Sequence, residues 1–163
     1  MTQATKNNFL AYVFVVLLFQ FTAGAVFAAK ELGVGIILGD PTGLSVKYNV
    51  SRTKSFDGAL AWSDSIAYHM HGDLLITKPG FFKVDNFPMD LYYGIGARLR
   101  DRDSDRYNKD DRGTQLGVRG PLGIRHMMND PSVEFFGEVA AVFNLIPSTS
   151  LDFDIGIGAR YFF

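Results

Sequence analysis

Residues 151–163, LDFDIGIGARYFF, decide the fold because their side chains alternate strictly in polarity. Side chains two residues apart lie on the same face of a β-strand. The intervening positions carry all the charge of this stretch, and the stretch is longer than the ~9–11 residues that a tilted strand needs to cross a membrane. It therefore predicts a membrane-spanning strand. The apolar face consists of Leu151, Phe153, Ile155, Ile157, Ala159, Tyr161 and Phe163.

The end of this strand resembles the insertion signal of bacterial outer-membrane β-barrel proteins. Its apolar residues alternate up to a final aromatic residue, Phe163. The resemblance implies that the barrel-assembly machinery reads this strand, with Tyr161 and Phe163 as the insertion signal.

The beginning of the chain has the pattern of a secretory signal peptide. Residues 1–8 are polar and include Lys6, residues 9–27 are mostly apolar, and Val26-Phe27-Ala28 forms a small-residue cleavage site. We therefore expect residues 1–28 to be a cleavable signal peptide and residues 29–163 to be the barrel domain. A retained membrane helix is the alternative, because the apolar run approaches ~20 residues.

Composition agrees with a single β-domain. The chain has 163 residues, 17 glycines and 14% aromatic residues, which suits barrel strands. It has no cysteine, so disulfides and thiolate chemistry are excluded. The formal net charge of −1 gives no support for nucleic-acid binding.

Seven earlier segments alternate like the terminal one, and turn-forming residues separate them. On all eight, one face lacks Asp, Glu, Lys and Arg. The pattern predicts an all-β, eight-stranded antiparallel transmembrane β-barrel, preceded by the cleavable signal peptide. We expect residues 77–89 to be a link and Pro121 to cause a bulge or a local break. The predicted strands cover residues 32–39, 44–50, 56–62, 66–76, 91–100, 116–125, 133–145 and 151–163.

Alternation alone does not separate this barrel from a soluble eight-stranded one, such as a lipocalin, whose apolar face points inward. Three features favour the membrane form: the signal peptide, the scarcity of large apolar residues in the other set, and the placement of aromatic residues. We expect two aromatic girdles on the outer face. One holds Tyr48, Phe56, Tyr93, Phe135, Tyr161 and Phe163, and the other holds Trp62, Tyr68, Phe143 and Phe153.

A short motif occurs twice, as Gly94-Ile95-Gly96-Ala97-Arg98 and as residues 156–160, GIGAR. In both copies the glycines belong to the inward set. We therefore expect them to leave room for long side chains of neighbouring strands. No βαβ unit surrounds them, so a dinucleotide site is not indicated.

Two patterns could bind metal ions. Side chains at i and i+2 of a strand lie ~7 Å apart, so His69-x-His71-x-Asp73 could chelate a metal, but a hydrogen-bonded lumen network is the favoured interpretation. The acidic residues at 101, 103 and 105 resemble the start of a calcium loop, yet Arg106 and Arg112 replace its required Gly and Glu. No metal site, cofactor or catalytic residue is therefore predicted, and no Ser-His-acid spacing supports hydrolysis.

The inward face predicts a charged lumen. An eight-stranded barrel is just wide enough to be filled by its own side chains, so charges inside it must be paired. The expected pairs are Lys47 with Asp57, Glu138 with Arg119, and Glu134 with Arg125 and Arg160. The predicted lumen charge network is Lys47, Asp57, His69, His71, Asp73, Arg98, Arg119, Arg125, Glu134, Glu138, Asp154 and Arg160.

Such ionic lumens give the mature chain a resemblance to the small OmpA/OmpX-type barrels. The resemblance implies a monomer in the outer membrane of a Gram-negative bacterium, with both termini periplasmic and with membrane lipid and lipopolysaccharide as its surroundings. The loop at residues 101–113 would lie outside the cell, and the other loops on that side are mostly short, which weakens an analogy with adhesins. We expect a structural or membrane-organising role without catalysis. A narrow ion-conducting pore is the alternative, and a lipid-modifying barrel enzyme is the second alternative.

Overall fold

A computed structural model of the protein describes residues 31–63, 66–85, 87–102, 113–129 and 132–163. The predicted signal peptide lies outside the described residues, as do residues 103–112 of the predicted outer loop. Strands follow one another along the whole described part. They are β1 (Leu32–Asp40), β2 (Gly43–Asn49), β3 (Lys54–Ser63), β4 (Ile66–Val84), β5 (Phe87–Arg102), β6 (Gly113–Asn129), β7 (Ser132–Ile146) and β8 (Ser150–Phe162).

The strands close into one antiparallel barrel in the order of the sequence. β1 closes it by pairing with β8, where Val34 lies opposite Tyr161 and Ile36 opposite Ala159. The predicted all-β architecture of eight antiparallel strands is therefore confirmed. Among the described residues, no helix has the length and apolar character needed to cross a membrane.

The two faces of the barrel differ sharply in polarity. On β8, Ile155 is 66% exposed whereas the neighbouring Asp154 is 1% exposed, and the alternation continues along the strand. Large apolar side chains are exposed on the outside of every strand. Charges on the outer face are few in the described ranges. Lys54 lies at the start of β3, and Lys78 lies beside the register shift of β4, where its Nζ is 5.7 Å from the ring centroid of Tyr93.

The predicted link at residues 77–89 is wrong, because this segment is a hairpin. β4 continues to Val84 and β5 begins at Phe87. Both strands therefore extend beyond Lys54, the first residue of β3, which lies opposite Ile76. The apparent breakers are absorbed by an irregularity: the register shifts between Lys78 and Phe82, and Gly80 has φ of +61°. Glycine adopts this left-handed conformation without the steric cost that other residues meet.

The local break expected at Pro121 is confirmed on the β5 side, whereas the alternative of a bulge is wrong. Pro121 pairs with Ala140 in an unbroken stretch of the β6–β7 register, and the register shift on this pair of strands lies at Leu116/Gly117. On the other side, β6 pairs with β5. Tyr93 lies opposite Leu122 and Gly96 opposite Arg119 in the same register, but the described strands have no paired residues between these two positions. Proline lacks an N–H donor, so an interrupted ladder on one side accommodates it without a bulge.

Aromatic side chains ring the outside near both barrel ends. At the end that holds the C-terminus, Tyr48 lies opposite Phe56, and the rings of Tyr161 and Phe163 meet edge to face at 5.1 Å. At the other end, Phe143 and Phe153 are exposed. Tyr68 is only partly exposed, and the side chain of Trp62 lies outside the described residues.

The repeated GIGAR motif places glycines where neighbouring side chains need space. A Cβ at Gly96 would meet the carboxylate of Asp73, and a Cβ at Gly158 would meet the ring of Phe136. The glycines thus let strands β5 and β8 accept bulky lumen side chains from β4 and β7.

Candidate functional site: the charged lumen

The lumen is the most distinctive chemical feature of the barrel. All the residues of the predicted lumen network are buried. They occupy the alternate strand positions whose side chains point into the closed and narrow barrel. Their ion pairs form two groups, one around Glu134 near the end that holds the C-terminus and one around Arg119 further along the lumen.

Glu134 on β7 is the centre of the first group and is fully buried. Its carboxylate accepts hydrogen bonds from Lys47 Nζ at 2.9 Å, from Arg125 Nη1 at 2.8 Å and from Arg160 Nη1 at 2.8 Å. Three cations from β2, β6 and β8 therefore converge on one carboxylate. Charge-assisted hydrogen bonds of this kind are stronger than neutral ones.

Arg160 links this group to the β3 wall. Its Nη2 lies 2.6 Å from Asp57 Oδ2, and its Nε donates to Ser45 Oγ at 2.9 Å. The guanidinium also lies 3.8 Å from the ring centroid of Phe136. These contacts satisfy the guanidinium on several sides, as burial of an arginine requires.

Asp90 joins the first group to the projecting hairpin. Its Oδ2 accepts from Arg125 Nε at 3.1 Å, and its Oδ1 accepts from the backbone N–H of Gly80 at 2.8 Å. The bulge that begins the hairpin extension is thus tied to the lumen charges.

Arg119 on β6 is the centre of the second group. Its guanidinium pairs with Glu138 at 2.5 Å, with Asp154 at 3.3 Å and with Asp73. These carboxylates belong to β7, β8 and β4, so one arginine connects several walls of the lumen.

Arg98 extends the second group toward the end of the barrel opposite the C-terminus. It pairs with Asp154 at 2.5 Å and with Asp152 at 2.7 Å, and it donates to Asn144 Oδ1 at 3.0 Å. At the rim, Arg100 lies 3.3 Å from Asp40. Ion pairs therefore continue through the depth of the barrel.

Buried apolar side chains add to the filling of the lumen. They form a cluster that includes Ile37, Leu75, Tyr92 and Phe136. Together with the ion pairs, these side chains occupy the interior of a barrel whose interior is just wide enough for side chains.

The predicted pairs are partly correct. Glu138 does pair with Arg119, and Glu134 pairs with both Arg125 and Arg160. Lys47 and Asp57 are opposite each other in the β2–β3 register, yet Lys47 forms its ion pair with Glu134 and Asp57 forms its own with Arg160. The expected Lys47–Asp57 pair is therefore wrong, because long side chains reach across a narrow lumen instead of pairing along the wall.

The two lumen histidines, His69 and His71, lie between charged groups at distances longer than hydrogen bonds. His69 Nδ1 is 3.6 Å from Asp40, His69 Nε2 is 3.9 Å from Asp154, and His71 Nε2 is 3.9 Å from Asp73. The two imidazole rings are 6.1 Å apart and nearly perpendicular. The hydrogen-bonded histidine network expected from the sequence is thus not formed by the described residues, since both ring nitrogens of His69 and Nδ1 of His71 lack partners there.

Several network members were missed at the sequence level. Ser45, Arg100, Asn144 and Asp152 have inward parity and could have been included on that basis. Asp90 was missed because residues 77–89 were interpreted as a link, which hid the fact that β5 begins before it.

No protein-family model, curated protein or solved structure matches this chain.

Proposed function

We propose that the protein is an outer-membrane β-barrel of a Gram-negative bacterium whose side-chain-filled polar lumen serves a structural or membrane-organising role without catalysis. The observation that carries this proposal is the combination of an apolar exterior with a lumen crossed by paired charges. Lipid is the solvent that suits such an exterior, because exposed apolar patches of this extent are rare on soluble monomers.

The dimensions of the apolar exterior support a membrane location. At ~3.4 Å per residue and a tilt of roughly 45°, the stretch from Leu151 to Phe163 covers about 29 Å along the membrane normal, close to the ~25 Å apolar band of outer-membrane barrels. The aromatic residues near both ends of the barrel fit the two interfaces. Closure removes all strand edges from the lipid, as a membrane-spanning sheet requires.

The proposed surroundings are membrane lipid and lipopolysaccharide, with the barrel-assembly machinery as a partner during biogenesis. Tyr161 and Phe163 are exposed on the outside of the terminal strand, where such machinery could contact them. Barrel closure within one chain supports a monomer, because no strand edge remains to be paired by a second copy.

A structural role is favoured over conduction by the pairing of the lumen charges. Lys47 on β2 bonds to Glu134 on β7, and Arg119 on β6 bonds to Asp73 on β4, so the links run across the lumen as well as along the wall. A conducting pathway would have to break several of these ion pairs.

Conductance of the purified protein in planar bilayers tests this proposal. We expect the bilayer current to stay at the level of protein-free bilayers. The control is the double variant Arg119→Ser and Glu138→Ser, which replaces two large paired side chains by small polar ones and should raise the frequency of small current steps. Stable unitary currents from the wild-type protein would contradict the structural role and favour the narrow ion-conducting pore.

A further inference from the structure

We propose that Asp57, His71 and Asp73 form a binding site for one divalent transition-metal ion of the zinc type inside the lumen. Each residue offers one ligand atom, and these atoms all lie within 4.8 Å of one another. The site goes beyond the proposed structural role, which needs no metal.

The strand geometry explains why these residues meet. Asp57 on β3 lies opposite Asp73 on β4, and His71 lies two residues before Asp73 on the same inward face. Like charges directly opposite each other on neighbouring strands destabilise a sheet unless a cation lies near them. The pairing of Asp57 with Asp73 therefore creates a place for positive charge.

Nearby arginines neutralise this pair only in part, because Arg160 and Arg119 also pair with Glu134, Glu138 and Asp154. Arg160 meets Asp57 Oδ2, and Arg119 meets Asp73 Oδ2. Asp73 Oδ1 and His71 Nδ1 have no hydrogen-bond partner among the described residues, although the side chains of both residues are only 1% exposed. Buried polar atoms without partners are uncommon and call for a ligand or a water molecule.

The donor set selects the class of ion. One imidazole nitrogen and two carboxylates suit zinc and neighbouring transition metals, whereas calcium and magnesium prefer oxygen ligands alone. Three protein ligands leave a fourth position for water, as in zinc sites that are not fully closed by protein. Arg119 and Arg160 would orient the carboxylates from the second shell of contacts.

A line of possible ligands leads from the rim to this site. Asp40 at the end of β1 has a side chain that is 44% exposed, and it lies 3.6 Å from His69 Nδ1. The His69 ring lies 6.1 Å from the ring of His71. Asp40 and His69 therefore lie between this rim and the proposed site.

The chain offers a matched set of variants, because its third histidine lies away from the two lumen histidines. His71→Gln removes a proposed ligand, and Asp73→Asn weakens another. His126→Gln is the control, since His126 lies on β6 near the hairpin, where its Nδ1 is 2.8 Å from Pro88 O. Each variant is purified without a histidine tag in detergent, and its fold is checked by migration of the unboiled sample on gels.

Titration with Zn²⁺ by calorimetry, and with Co²⁺ by visible absorption, measures the site directly. We expect one ion per wild-type chain and unchanged binding after His126→Gln. Binding should weaken by at least about 10- to 100-fold after His71→Gln or Asp73→Asn, because that is the usual loss when only an outer-shell partner of a ligand is removed. Absence of binding to the wild type, or equal binding by all variants, would overturn the proposal.

If the ligand variants do not fold, X-ray absorption of the zinc-loaded wild type tests the proposed ligand set. We expect one imidazole among oxygen neighbours. A spectrum with no imidazole, or with two or more, would contradict the proposed ligand set.

Discussion

Arg119 shows at the scale of one residue how this lumen is held together. The inward position of Arg119 in the alternation and the short separation of β6 and β7 in the sequence were enough to predict its contact with Glu138. Its contacts with Asp73 and Asp154 could not be predicted, because they depend on barrel closure and on the reach of a long side chain across the lumen.

We predict that Arg119 and Glu138 are energetically coupled. Removing one partner of a buried ion pair typically costs about 3–5 kcal/mol of stability, because the other charge is left buried. Arg119→Met should cost more than Glu138→Met, since Arg119 pairs with further carboxylates. The double variant should cost less than the sum of the single changes. Unfolding of refolded protein by denaturant measures the cycle, and additive losses would show that the two side chains do not interact.

Among the carboxylates near the barrel end that holds the C-terminus, we expect Glu134 to contribute most to the free energy of unfolding. Glu134→Gln removes the negative charge that Lys47, Arg125 and Arg160 share, so we expect a loss of about 3–5 kcal/mol in unfolding free energy. The control is Asp152→Asn, whose side chain is 30% exposed, and it should cost less. An equal loss in both variants would contradict the special position of Glu134.

Two glycines on neighbouring strands should respond differently to alanine. A Cβ at Gly96 would meet the Asp73 carboxylate and the Gly72 backbone oxygen, so Gly96→Ala should cost about 1–3 kcal/mol through overpacking. Gly72→Ala is the matched control, because its nearest neighbour, the Asp57 backbone oxygen, lies at an ordinary 4.0 Å. The same denaturation measurement compares them. A larger loss at Gly72 would show that the motif glycines do not make room for lumen side chains.

The hairpin extension of β4 and β5 is the element whose structure the sequence analysis missed. Pro79, Gly80 and Pro88 suggested breaks in the strands. The barrel accommodates them because Gly80 forms an irregularity and Pro88 pairs with Lys83 close to the tip. Strand bounds at such positions depend on neighbouring strands, and these are not visible in local sequence.

We predict that Asp90 holds this extension against the barrel. Asp90→Ala removes the acceptor of the Gly80 N–H and one partner of Arg125. Limited trypsin digestion should then cut faster after Lys83, while the rest of the barrel stays resistant. Lys78 is not a cleavage site, because Pro79 follows it. Glu31→Ala, a carboxylate change at the same end of the barrel, is the control. Unchanged cleavage in the Asp90 variant would show that the bulge holds without this contact.

At the scale of the whole molecule, the period-two pattern was enough to predict which side chains face in and which face out. Ile155 and Asp154 differ by one position in sequence and lie on opposite sides of the wall. The partners inside were harder to predict, as Lys47 and Glu134 show, because they lie 87 residues apart and meet only after the barrel closes.

The central claim is that the outer face of this barrel contacts lipid. Native cysteine is absent, so single cysteines at Phe153, Ile155 and Ile157 on β8 can carry spin labels without interference, and the exposed Ser148 in the β7–β8 turn serves as the control. Spin-label accessibility in liposomes is then measured with oxygen, which concentrates in lipid, and with a water-soluble nickel complex. We predict high oxygen and low nickel accessibility at the three strand positions and the reverse at Ser148. High nickel accessibility at the strand positions would contradict the account and show that the apolar face does not lie in a membrane.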